Sequence, residues 1–311
     1  AQTEKLDQLI FAGFTHEPAE QLARRLVALT PPGLDHVFYS DSGSTAVEVA
    51  LKMALGYWRN LGEKRTRIIA LEHAYHGDTI GAMSTGARSA FNEIYAPVLF
   101  DVARIPFPAQ GVEQQTLDAL ERFCRAGAAA FVVEPLICGA GGMLIYPPQI
   151  LAEMKNICAR YGVLFIADEV MTGFGRTGNW FGSETFGIRP HIMTIAKGLS
   201  SGYQPIGGSI VSSEVARVVA EGGEFFHGYT YSGHPVGAAA ALATLAEIDP
   251  GVDDAARHEI DDQNQEQAID HHAVVGQRPG QLRQSHQHRG AHHRAPNRMP
   301  TAQNHIGQHR N

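Results

Sequence analysis

The chain has 311 residues, 44% of them hydrophobic and 18% charged, and carries a net charge of −7. That length holds one large α/β domain or two modest ones, and that balance fits a folded globular enzyme rather than a disordered chain. The acidic balance, with no basic stripe before residue 250, argues against nucleic acid as a partner, and no apolar run approaches the roughly 20 residues that span a bilayer.

The start, Ala1-Gln2-Thr3-Glu4, has no basic stretch leading into an apolar core, so no secretory signal is expected and the expected location is cytoplasmic. It also lacks an initiator Met, so an incomplete N-terminus is an expectation. The first chemical punctuation follows the strand-like Val37-Phe38-Tyr39. Here Ser40-Asp41-Ser42-Gly43-Ser44 leads into a strongly apolar helix, in which Glu48 and Lys52 stand at i,i+4. Free N–H groups, a hydroxyl and the positive helix end at Gly43 and Ser44 suit a phosphate. The bland alternative is an ordinary N-cap, which serine provides constantly.

Ile68-Ile69-Ala70-Leu71 reads as a buried strand, followed by Tyr75-His76-Gly77-Asp78-Thr79. An aromatic there can stack on a planar ligand, whereas His76 has a ready explanation as a packed, hydrogen-bonded histidine. Phe131–Val133, Val163–Ala167 and Ile192–Ala196 are short apolar runs, as in strands covered on both faces of a parallel sheet. Between them, Ile150, Leu151, Met154, Ile157 and Cys158 repeat at helical spacing from Pro148 to Tyr161. Alternating strands and helices make the fold class α/β, with helices on both faces of the sheet.

Asp168 stands directly after the run Val163–Ala167, at the strand end where open α/β sheets gather ligands. Its bland alternatives are capping a loop or pairing with Arg176. Lys197 likewise closes the run Ile192–Ala196 and precedes the small residues Gly198 to Gly202; a buried lysine there is costly unless paired or chemically used. A lysine for covalent attachment, a carboxylate for a pyridine nitrogen and a phosphate cradle together match what pyridoxal 5′-phosphate requires. Gly173-Phe174-Gly175-Arg176-Thr177-Gly178 fits a dinucleotide GxGxxG pattern, but Asp168–Thr172 separates it from the strand and Asn179-Trp180-Phe181-Gly182 opens a helix poorly. His227 to Pro235, rich in glycine and hydroxyls, suits a phosphate-contacting loop ahead of an Ala-rich helix, Val236–Ile248.

After Pro250 the composition changes abruptly. Residues 251–311 have no aromatic residue and hold repeated Gln, Arg and His. A disordered tail, a His-rich metal-binding tail and a shifted reading frame all fit; the histidines follow no regular ligand spacing, so no metal site is expected. Cys124, Cys138 and Cys158 are too widely spaced for a CxxC pattern and read as reduced thiols.

The motifs Ser40–Ala54, Ala74–Thr79, Glu134–Met143, Leu164–Gly178, Ile195–Gly202 and His227–Pro235 together resemble the class III pyridoxal-phosphate aminotransferases, over about residues 1–249. The resemblance implies a fold-type I architecture: a large domain on a mainly parallel seven-stranded sheet, a small domain from both chain ends, and a homodimer with shared active sites. By that resemblance Lys197 would hold the cofactor and shuttle protons, Asp168 would pair with the pyridine nitrogen, and Gly43 and Ser44 would hold the phosphate. Tyr75 would stack on the ring and, with Gly228, face the substrate. Thr230, with Gly228 and Tyr229 nearby, would reach the phosphate of the neighbouring subunit, and Glu134 would lie near the substrate side. The partners implied are a small-molecule amino donor and a carbonyl acceptor.

Within the family, Phe14–Ala19, Ser40–Ala54 with Tyr57-Trp58, and Tyr75–Ser84 look like the branch that uses S-adenosylmethionine in biotin synthesis. Ser200–Pro205 and Tyr229–Pro235 look more like the ω-amino acid:pyruvate branch. The expected organisation is an N-terminal remnant at 1–30, a large cofactor-binding domain at 31–249 and an atypical tail at 250–311, leaving the small domain incomplete. An inactive truncated fragment is the remaining reading.

Overall fold

The computed structural model describes residues 1–223 and 225–248. The elements run α1 (Gln2–Lys5), α2 (Glu17–Leu29), β1 (Leu34–Ser40), α3 (Gly43–Asn60), β2 (Ile68–Leu71), α4 (Ile80–Thr85), β3 (Ala103–Ile105) and α5 (Glu113–Arg125). They continue with β4 (Ala130–Val133), β5 (Ile137–Cys138), β6 (Leu144–Ile145), α6 (Pro148–Arg160), β7 (Leu164–Asp168) and α7 (Gly182–Thr185). Then come β8 (Ile192–Ile195), β9 (Gly207–Ser212), α8 (Ser213–Glu221) and α9 (Pro235–Ile248). The apolar runs expected as strands are strands, and the helices expected after Ser42 and Pro147 and before Ile248 are present. The readings made for residues 250–311 lie outside the described residues.

Seven strands form one sheet in the order β1-β9-β8-β7-β4-β2-β3. β8, β7, β4, β2 and β3 pair in parallel, while β9 is antiparallel to both β8 and β1. Alternate residues of the central strands enter opposite cores, because successive side chains of a strand point to opposite faces. Ala130, Val132, Leu164 and Ile166 pack with α3 and α8. Phe131, Val133, Phe165 and Ala167 pack with α5 and α6. Toward the β1 edge, Val37, Met193, Ile195 and Ile210 pack with α2 and α9. Covering on both faces is what the unbroken apolar runs required.

One expected local pair does not form. Glu48 accepts hydrogen bonds from the N–H groups of Gly81 and Ala82 at the start of α4, at 2.6 and 3.1 Å. Lys52 instead reaches the Phe226 carbonyl and His227 Nδ1, both at 2.9 Å. Unpaired N–H groups at a helix start compete for a carboxylate better than an exposed ammonium does.

Candidate active site

The carboxyl ends of the parallel strands converge on one cavity of about 470 Å3, where Gly43, Ser44, Tyr75, Asp168 and Lys197 meet His76, Thr79 and Glu134. This is the position at which the twisted sheet leaves a crevice for ligands. Six of the residues expected from the sequence, Glu134 among them, are thus brought together. Gly228 and Thr230 are not: they line a separate cavity of about 220 Å3 with Phe11, Tyr39 and Ser232.

Asp168 ends β7 and is buried. Its Oδ2 lies 2.7 Å from His76 Nδ1, while Oδ1 accepts from the Thr194 hydroxyl at 3.0 Å and the Val170 N–H at 3.2 Å. Arg176 is not its partner; that guanidinium donates to the Met171 carbonyl at 2.8 Å. A carboxylate offers about four lone-pair sites, so three bonds leave one for a donor in the cavity. Burial works against a charge on His76, yet the hydrogen bond and the charge of Asp168, with Glu134 beyond, raise its pKa above the ordinary 6.5. Asp168 and Glu134 thus favour the protonated form of His76 beyond what burial alone would allow.

Thr194 reaches Asp168 because β7 and β8 pair with these two residues opposite each other. Sequence reasoning missed Thr194 and left His76 as packing. No local signal marks a strand-interior threonine, since register is a tertiary property; the histidine sat beside a singled-out tyrosine and could have been found.

Lys197 opens a short 3-10 turn, Lys197–Leu199, two residues beyond the end of β8, with φ of 46°. Its side chain is exposed rather than buried, correcting the expectation of a costly strand-end lysine. The turn carries the lysine past the sheet's buried layer, so no desolvation has to be offset. Among the described residues its ammonium has no hydrogen bond or ion pair, and it lines the cavity. A non-glycine residue held in the left-handed region is uncommon and clusters at functional sites.

At the start of α3 the two readings of the serines separate. Ser42 is the N-cap: its hydroxyl accepts from the Thr45 N–H at 3.2 Å, and the Ser42 N–H donates to Thr45 Oγ1 at 2.9 Å, completing a capping box. Ser44 is free of that duty. Its Oγ accepts from the Thr79 N–H at 2.9 Å and lies 2.8 Å from Thr79 Oγ1. Either hydroxyl of that pair can be the donor, and the Ser44 hydroxyl stands beside the N-terminus of an 18-residue helix. Gly77, at φ of 128°, makes this approach possible, for a Cβ there would sit 2.3 Å from Ser44 Oγ.

Tyr75 is 42% exposed, and its hydroxyl donates to Asp78 Oδ2 at 2.9 Å; burial and then that bond push its pKa up to about 12. The Tyr75 N–H donates to Glu134 Oε1 at 3.0 Å, and the Gly139 N–H to Oε2 at 3.1 Å. Burial raises the Glu134 pKa. Both of its oxygens are thus committed to loops that wall the cavity. Among the described residues no cluster of His, Cys, Asp and Glu could hold a metal ion, and no helix is long and apolar enough to cross a membrane.

The residues fit pyridoxal 5′-phosphate on three observations of this structure: the remaining acceptor site on Asp168, the Ser44 hydroxyl lining the cavity at the start of α3 and the unpaired amine of Lys197. A mainly parallel sheet with these groups at its strand ends defines a fold-type I enzyme scaffold. The sequence model described as Aminotransferase class-III matches residues 1–269, and the chain belongs to the class III aminotransferase family. An adenosylmethionine-8-amino-7-oxononanoate aminotransferase of Synechococcus elongatus is 46% identical over 256 residues, covering 78% of this chain and 60% of that protein. The crystal structure of the enzyme of the same name from Methanocaldococcus jannaschii has a TM-score of 0.76 at 33% identity, covering 82% of this chain and 60% of that one. An (S)-enantioselective omega-transaminase from Thermomicrobium roseum also has a TM-score of 0.76, at 36% identity, covering 79% of this chain and 59% of that one. The chain therefore spans about 60% of the length of the relatives it matches.

Proposed function

We propose that this chain carries the cofactor-binding part of a pyridoxal-phosphate aminotransferase that moves the amino group of S-adenosylmethionine to 8-amino-7-oxononanoate, giving 7,8-diaminononanoate. The observation that carries the aminotransferase reading is the convergence of Lys197, Asp168, Gly43 and Ser44 on one cavity. The names of the relatives reported above support the substrate pair. We place the protein in the cytoplasm, as a homodimer with shared active sites.

When bound, the cofactor would supply an electron sink for the carbanion formed at the substrate carbon that loses its proton. Lys197 would hold the cofactor and, once released from it, take and return that proton at Nζ. Asp168 would place a fixed negative charge against the pyridine nitrogen and keep it protonated, with His76 and Thr194 fixing the carboxylate's direction. Ser44 would donate its hydroxyl proton to the phosphate, and the Gly43 and Ser44 N–H groups would add the positive end of α3. Tyr75 would cover one face of the ring. Thr230 would serve the phosphate of the neighbouring protomer, which accords with its lying outside the Lys197 cavity here.

Adding pyridoxal phosphate to the purified protein should produce an absorption band at the visible edge that borohydride fixes onto Lys197. A protein without the band, or one whose band survives Lys197→Ala, would overturn the site assignment. A second reading, ω-amino acid:pyruvate transamination, is favoured by Ser200–Pro205 and Tyr229–Pro235 and by the likeness to the omega-transaminase. A donor screen decides: conversion with S-adenosylmethionine but not with β-alanine or 1-phenylethylamine supports the first reading, and the reverse supports the second.

A further inference from the structure

The segment Phe14–Ala19 lines none of the Lys197 cavity, yet its histidine is buried and fully engaged. His16 is the N-cap of α2, and its Nδ1 accepts from the Ala19 N–H at 3.2 Å. A ring nitrogen that accepts carries no proton, so in the neutral ring the proton sits on Nε2. That nitrogen lies 2.7 Å from the carbonyl oxygen of Gly233 and donates to it across 217 positions of sequence. Burial lowers the His16 pKa, against the opposing pull of the Gly233 bond and Glu20, which accords with a neutral ring.

Two further contacts tie the same pair of segments. Gln8 Nε2 donates to the Thr230 carbonyl at 2.8 Å. Gly233, at φ of 67°, lies so close to Phe11 that a Cβ would meet its ring at 2.8 Å, and the Phe11 ring stands edge-on to His16 with centroids 5.4 Å apart. The loop that carries Thr230 is thus held at Thr230 itself and at Gly233 by residues 8–16. A loop residue that meets a ligand needs such support, since backbone outside regular structure otherwise samples many positions.

We propose that His16, with Gln8, is a positioning residue for the Thr230 loop, fixing Thr230 where it meets a cofactor phosphate. The inference rests on the reading of Thr230 given above, and a double-mutant cycle on pyridoxal-phosphate affinity separates the two. His16→Asn keeps a good N-cap but is too short to reach Gly233. Thr230→Val should weaken the dissociation constant about tenfold, as for one lost hydrogen bond to a charged group. His16→Asn should weaken it about threefold to tenfold alone and add nothing in the Thr230→Val background. Neither change should alter the affinity for unphosphorylated pyridoxal.

If Thr230→Val leaves phosphate-dependent affinity unchanged, the Thr230 reading fails. If Thr230→Val acts but His16→Asn does not, or if the two effects multiply, the positioning role is overturned. Should His16→Asn fail to fold, Gln8→Ala is the second variant. It should weaken affinity about twofold to threefold, on the scale of one exposed hydrogen bond, and speed amide exchange at Ser232 and His234, whose N–H groups bond within the loop. Unchanged affinity and exchange in Gln8→Ala would reject the proposal.

Discussion

His76 Nδ1 and Asp168 Oδ2 lie 2.7 Å apart with both side chains buried, joining the loop after β2 to the end of β7. The bond fixes the direction of the Asp168 carboxylate at the base of the cavity.

Asp168→Asn keeps the side chain's shape and removes its charge, leaving His76 in a buried site without a counter-ion. Breaking such a pair from one side costs about 3 kcal/mol. Turnover should fall by at least about 10^2, on the scale of losing one preorganised electrostatic contact. The stability loss should depend on pH. Folded His76 titrates above its ordinary value of 6.5, so the pair's stabilisation is fully present below pH 6.5 and is lost as pH rises through the folded value. Urea unfolding of both proteins across that range checks the sign; a loss that grows at high pH would contradict it.

Ser42→Ala and Ser44→Ala should have opposite signatures. The first removes the cap of α3 and should cost about 1 kcal/mol of stability while leaving pyridoxal-phosphate affinity nearly unchanged. The second should weaken that affinity about tenfold, through one lost bond to a charged phosphate, with little effect on unfolding. Thermal unfolding of the apoprotein, paired with a cofactor titration, distinguishes them.

Gly77→Ala is expected to damage both properties together. Its Cβ would sit 2.3 Å from Ser44 Oγ, and φ of 128° is strained for any side chain. Overpacking and backbone strain of this kind cost about 1–3 kcal/mol. Cofactor titration should also show weaker binding, because the hydroxyl displaced is the one that faces the phosphate. Normal affinity in a destabilised Gly77→Ala protein would show that Ser44 does not depend on this approach.

Acid should weaken the sheet at a different place. His191 precedes β8, and its Nδ1 accepts from the Phe165 N–H at 2.8 Å. Burial, then the charge of Lys155, push its pKa down to about 4. A folded value below the unfolded 6.5 means its stabilisation is present above pH 6.5 and is lost as pH falls toward about 4. The loss is bounded at about 3 kcal/mol. His191→Asn should flatten the unfolding free energy across that window; an unchanged slope would assign the acid sensitivity to other groups.

Chain order and chemistry were legible in the sequence where a local pattern carried them. Asp168 and Lys197 stood out because each follows an apolar run with no polar interruption, and the end of such a run is where a parallel sheet opens. Gly43 and Ser44 were marked by a turn of small residues before an apolar helix, though by itself that turn favoured the ordinary cap over the phosphate reading. What placed Ser42 on the cap and Ser44 on Thr79 was the approach of Gly77, 33 positions further on, which no helix-start signal contains. Thr194 met Asp168 through strand register, and register depends on which side chains share a core rather than on neighbours in sequence. The exposure of Lys197 depended on a three-residue turn just after β8, below the resolution of hydropathy patterns.

The sequence by itself therefore determined the α/β alternation, the family motifs and the identity of the groups able to serve a pyridoxal phosphate. Tertiary structure alone decided which of them share a cavity. Lys197, Asp168, Tyr75, Gly43 and Ser44 do, while Gly228 and Thr230 stand apart, held by Gln8 and His16 from the other end of the chain. The physical reason is range: a pattern reports only residues a few positions apart, whereas the site is assembled from strand ends and loops whose distances are set by the packing of the whole sheet.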